Sequence, residues 1–137
     1  MDLLGNSPVL NLFDESWRIY ARHAAHGPHF ISGEARVYNS CISAGCEILG
    51  TVRNSVLGPG VKVARGASVC DSVIMNDVVI EEGAEVNYSI IDHDVTIGKG
   101  AKVGEIRRAA HEITVIGEGI KIDENGTVAE GAMLYAD

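Results

Sequence analysis

Large aliphatic residues recur along the middle of this chain at steps of six, six and five: Leu57, Val63 and Val69, then Ile74, Ile80 and Val86, then Ile91, Ile97 and Val103. Two positions before each stands a second inward candidate, Ser, Val or Ala, as at Ser55, Val61 and Ala67. Side chains at i and i+2 of a strand point the same way. Each step therefore predicts a short strand that turns one branched and one smaller side chain inward, and three such strands close a three-sided coil. The coil repeats every 17 residues, with Ser55, Ser72 and Ser89 aligned. A shorter copy from Ser40 lacks two residues at one corner, and a further copy from Thr114 is offset by 59 from the Ser55 copy. Gly58, Gly60, Gly66, Gly83, Gly98 and Gly100, with Asn76 and Asp77, fall at corners, where positive φ or close backbone approach is needed. An antiparallel sandwich has no reason to hold this register through five copies. The predicted architecture is all-β: a single-stranded parallel β-helix of about five coils over residues 35–137. Its rungs stack edge to edge at about 4.8 Å.

The same register assigns the outward residues. A first face carries Cys41, Val56, Val73, Ile90 and Val115; a second carries Lys62, Val79, Thr96 and Lys121; a third carries Ser68, Glu85, Lys102 and Thr127. The first face is apolar along its length, and a stacked stripe of that kind calls for a cover. At roughly 25 cal/mol per Å², covering even ~200 Å² contributes on the order of 5 kcal/mol before ordering costs. Val56, Val73, Ile90 and Val115 are therefore the expected interface. Two covers are open: the segment holding Leu12, Phe13, Trp17 and Tyr20, and another subunit or domain.

Residues 1–34 read as a linker. Asp2-Leu3-Leu4 reads as the tail of a helix that begins earlier, and residues 14–20 as a short helix capped by Asp14. His23, His26 and His29 are spaced by three, but Gly27-Pro28 breaks any helix that would align them, so a solvated linker is expected there rather than a metal site.

Composition narrows the class. Aromatics are 5% of the chain and Gly numbers 16, which suits many short strands and turns and not a helical bundle. A formal charge of −8 argues against nucleic acid and anionic membrane as partners. The opening residues lack the basic and apolar stretches of a signal peptide. Cys41, Cys46 and Cys70 are odd in number and without CxxC spacing, which suits a reducing cytoplasm.

Catalytic chemistry is sparse. The sequence holds no GxxxxGK[ST] loop and no nucleophile elbow. Residues 105–112 form an insertion beyond a normal corner, with Arg107 and Arg108 in an otherwise acidic chain. Together with Lys121 they are the candidate effector or anion-binding residues, chosen by charge placement. His111 lies near the Arg pair; a solvated loop is the alternative reading.

The coil phrases NSVLGPGVKV, DSVIMNDVVI and SIIDHDVTIG, with MDLL at the start, NLFDESWRIY over residues 11–20 and Pro28-His29-Phe30-Ile31, resemble the C-terminal part of bacterial glucose-1-phosphate adenylyltransferases over essentially the whole chain. The resemblance implies a left-handed coil, which spacing alone does not fix, since parallel crossovers are otherwise right-handed. It implies that ATP and glucose 1-phosphate are converted to ADP-glucose and pyrophosphate, for glycogen synthesis, by a catalytic domain outside this chain that uses Mg and ATP. Met1 then reads as an internal methionine. This chain would carry no catalytic residue, metal or cofactor. It would serve tetramer assembly and allosteric control by a sugar phosphate or nucleotide, in the catalytic enzyme or a regulatory paralogue. The repeats also resemble hexapeptide acyltransferases, in which a corner histidine acts as general base. His93 is the residue in that position, and a stand-alone acyltransferase is the alternative. A γ-class carbonic anhydrase would need three zinc histidines on corners, where only His93 qualifies.

Overall fold

The computed structural model describes Val9 and residues 14–16, 25–108 and 112–136. The chain winds through six turns of three strands. The first turn is β1 (Phe30–Ile31), β2 (Arg36–Tyr38) and β3 (Cys41–Ile42); the second is β4 (Glu47–Ile48), β5 (Thr51–Arg53) and β6 (Val56–Leu57). The third is β7 (Lys62–Val63), β8 (Ser68–Cys70) and β9 (Val73–Ile74); the fourth is β10 (Val79–Ile80), β11 (Glu85–Asn87) and β12 (Ser89–Ile91). The fifth is β13 (Thr96–Ile97), β14 (Lys102–Val103) and β15 (Thr114–Ile116); the sixth is β16 (Lys121–Ile122), β17 (Thr127–Val128) and β18 (Met133–Leu134). Each strand pairs in parallel with its counterpart one turn away, so the faces are three six-stranded sheets. The first face is β3-β6-β9-β12-β15-β18, the second β1-β4-β7-β10-β13-β16, and the third β2-β5-β8-β11-β14-β17.

Six turns replace the expected five or so. The additional turn is split between the two ends. Ile31 and Val37 continue the inward column before the Ser40 copy, and Leu134 continues it after the Thr114 copy. Neither fragment completes a repeat, so alignment of whole copies passes over both. Among the described residues, regular β structure accordingly begins at Phe30, within the segment assigned to the linker. The helix expected over residues 14–20 lies outside the described residues except for 14–16, where the Asp14 carboxylate accepts hydrogen bonds from Ser16 N and Oγ at 2.9 and 2.6 Å. Leu12, Phe13, Trp17 and Tyr20 also lie outside the described residues.

The interior follows the predicted register. Leu57, Val63, Val69, Ile74, Ile80, Val86, Ile91, Ile97 and Val103 are fully buried, as are their smaller companions Val61, Ala67, Val78, Ala84, Val95 and Ala101. Buried serines need partners, and they obtain them from each other's turns. Ser55 Oγ accepts from Ser72 N (3.2 Å) and Ser72 Oγ from Ser89 N (3.1 Å), while each hydroxyl donates to the carbonyl two residues earlier at 2.7 Å. The two residues missing from the Ser40 copy are absent between β4 and β5. There Gly50 comes so close to the Ala67 and Ala64 carbonyls that a Cβ has no room.

Candidate functional site

Two corners of the prism gather polar chemistry. The first joins the third face to the first. Its column passes through Asn39, Asn54, Asp71 and Tyr88, all with positive φ. Asn and Asp tolerate that region and bond locally. The Asn39 amide donates to Asn54 Oδ1 at 3.0 Å, and the Asn54 amide donates to Asp71 Oδ1 at 3.4 Å. Tyr88, at φ 43°, is the exception in chemistry. Its ring lies under the Arg107 guanidinium, 5.5 Å from the ring centroid. Arg107 of the insertion thus lies back against the coil. Arg107 and Ile113 close a shallow cleft of about 150 Å³ with Asp71, Val73, Tyr88, Ser89 and Ile90.

This cleft brings together residues from two separate expectations, Arg107 from the anion-binding set and Val73 and Ile90 from the interface set. Val56, Val73, Ile90 and Val115 stand in strict register on the first face, flanked by Cys41 and Met133. Val56, Val73 and Val115 are half-buried and Ile90 is 39% exposed. The insertion itself lines a cleft beside this face, a cover that the linear pattern did not offer. The remaining anion-binding candidates diverge. Arg108 is exposed, His111 lies outside the described residues, and Lys121 sits in β16 beside Thr96 on the second face, away from the face that Arg107 borders.

The second corner joins the first face to the second. His26 packs across it with its side chain only 21% exposed, 3.9 Å from the Asp77 carboxylate. A Cβ at Gly45 would stand 2.6 Å from His26 Cβ, so this glycine serves close approach as well as its positive φ. The expectation of a solvated linker is therefore corrected at His26. Gly27-Pro28 forbids a helix, but an extended segment can still lie on glycine corners. His29 is exposed, as expected, and His23 lies outside the described residues.

One turn beyond Asp77 on the same corner, His93 is held between carboxylates. Nδ1 lies 2.8 Å from Asp92 Oδ1 and Nε2 lies 2.9 Å from Glu118 Oε1. The hydrogen bond to Asp92 leads in raising the His93 pKa, with help from the Glu118 charge, and the same bond leads in lowering that of Asp92. Both ring nitrogens face an acceptor, so the arrangement favours imidazolium. The His93–Glu118 contact was missed because the insertion moves the offset between adjacent turns from 17 to 25. Burial is the main cause raising the pKa of Cys46 and Cys70, as expected for structural thiols. Among the described residues, no helix is long and apolar enough to cross a membrane.

Comparison with known proteins agrees with this architecture. The glucose-1-phosphate adenylyltransferase of Acetivibrio thermocellus is 45% identical over 76 residues, 56% of this chain and 18% of that protein. The Clostridioides difficile glucose-1-phosphate adenylyltransferase is 47% identical over 75 residues, 55% of this chain and 19% of that protein. Each match spans about a fifth of the relative's own length. Among solved structures, the acetyltransferase domain of PglB from Neisseria gonorrhoeae superposes with a TM-score of 0.67 at 25% identity, covering 79% of this chain and 51% of that one. Residues 29–122, which run from the first strand into the sixth turn, match the family described as GlmU-like, C-terminal hexapeptide. The chain belongs to that family of hexapeptide-repeat domains and is related to the bacterial glucose-1-phosphate adenylyltransferases.

Proposed function

We propose that this chain is the assembly and regulatory end of a cytoplasmic glucose-1-phosphate adenylyltransferase, with the transfer from ATP to glucose 1-phosphate carried out by a separate Mg-dependent catalytic domain. The observation that carries the reading is the apolar column Val56-Val73-Ile90-Val115 on one sheet of the prism, bordered by Arg107. A self-complementary stripe of β-branched side chains suits contact between copies of the chain. Arg107, presented on an aromatic ring at the edge of that stripe, suits a phosphate-bearing effector that senses the assembled state. Lys121 stands on a different face and drops out of that set.

Sedimentation equilibrium tests the assembly role. The wild-type chain is expected to self-associate. Val73→Asp places a carboxylate in the column at a cost of about 2–4 kcal/mol. That corresponds to association weakened roughly 30- to 1,000-fold. Wild-type and variant chains that are equally monomeric would remove the assembly role.

The likeness to an acetyltransferase domain and the place of His93 on a coil corner favour a second reading, a hexapeptide acyltransferase in which His93, once its Nε2 proton is given up, acts as general base. Calorimetric titration with acetyl-CoA separates the two. Saturable binding lost in His93→Ala supports the transferase, and absence of heat supports the assembly domain.

A further inference from the structure

We infer that the corner formed by His93, Asp94 and Glu118 is a binding site for a divalent transition-metal cation of the zinc class. The inference does not depend on the adenylyltransferase reading.

The site is assembled by the register of turns four and five. Ile91 pairs with Ile116, so the residues two positions on, His93 and Glu118, stand one rung apart on the same corner. The Gly119 amide donates to the His93 carbonyl at 3.1 Å and ties the two rungs there. The imidazole is fixed from one side. Asp92 Oδ1 lies 2.8 Å from Nδ1 and also accepts the His93 backbone N–H at 2.8 Å. Nε2 is thereby aimed outward at Glu118. A carboxylate on the distal nitrogen is the arrangement that orients a ligating histidine and strengthens it as a donor.

One donor atom each from His93, Asp94 and Glu118 falls within 4.8 Å of the others. Tetrahedral coordination with bonds of about 2.0–2.2 Å needs donors about 3.3 Å apart. Asp94 and Glu118 are exposed, so their side chains are free to turn toward a shared cation. Among the described residues no Lys or Arg forms an ion pair with Asp94 or Glu118, whereas Lys99 is engaged by Glu82 and Lys102 by Glu85. One imidazole nitrogen with two carboxylate oxygens suits zinc and its neighbours in the first transition row, while calcium and magnesium favour all-oxygen shells. Three protein donors at a solvent-facing corner leave a coordination position for water or an anionic ligand.

The test strips the full chain with a chelator, removes the chelator, and titrates it with Co²⁺ followed by visible absorption and with Zn²⁺ followed by calorimetry. Saturable uptake of about one equivalent with a cobalt d–d spectrum is expected, in keeping with a site of few protein donors. His93→Ala should abolish it, and Asp92→Asn should weaken it about 10-fold or more through lost orientation of the ring. Glu118→Gln keeps the shape of the side chain and should also weaken uptake, so the result does not hang on one variant. His29→Ala should leave uptake unchanged. Lack of saturable uptake would overturn the site. So would uptake that survives His93→Ala or disappears in His29→Ala, since either places the cation elsewhere.

Discussion

From Leu57 at the end of turn two to Ile91 at the end of turn four every inward side chain is buried, and the serines at 55, 72 and 89 bond one turn to the next. Turn five keeps the same inward column at Ile97, Val103 and Ile116, but the step from Val103 to Ile116 takes 13 residues where the step from Val69 to Ile74 takes five. The described residues of the insertion are exposed and stay out of the core. On the outside, Arg107 lies on Tyr88 and Ile113 closes the cleft by Val73 and Ile90. The interior therefore tolerates an interruption as long as the next strand regains its register. Individuality is added at corners, where nothing in the stacking forbids it.

Three substitutions sharpen that contrast. Ile80→Ala, in the regular region, leaves a cavity with neighbours fixed above and below, and should cost about 2–4 kcal/mol in urea unfolding. A loss below about 1 kcal/mol would make the core as forgiving as the insertion. Ser72→Ala strips the Ser89 amide of its acceptor and the Cys70 carbonyl of a donor inside the core, and should cost about 1–3 kcal/mol by the same measurement. Arg107→Ala removes an exposed cation–ring contact and should cost only about 0.5–1 kcal/mol. A loss there equal to that of Ile80→Ala would show that the insertion is part of the folding unit.

Much of the fold was legible because periodicity fixes both which residues pair and which point inward. The step from Ser55 to Ser72 to Ser89 specifies parallel pairing, one turn and one face at once. Ile31, Val37 and Leu134 were harder to place, since each lies on a fragment at one end of the prism that does not complete a 17-residue copy. The candidate sites were less legible for a related reason. Arg107 and Lys121 are close in sequence and both cationic, yet the path from β14 to β16 crosses two corners and puts them against different faces. His93 and Glu118 are far apart in sequence and adjacent in space, because the insertion displaces the repeat. His26 shows a third limit. Its contact with glycine corners depends on an extended path that no local propensity announces.

Tyr88 carries a cost of its own. Asn39, Asn54 and Asp71 occupy the left-handed region with side chains suited to it, whereas an aromatic residue there is strained. An asparagine in its place would relax the main chain and prolong the amide ladder, giving a tougher scaffold. The same exchange would take away the aromatic floor on which the guanidinium rests, and the loop above would lose its landing. Robustness and recognition compete for a single position, and this protein has settled the contest in favour of the ring.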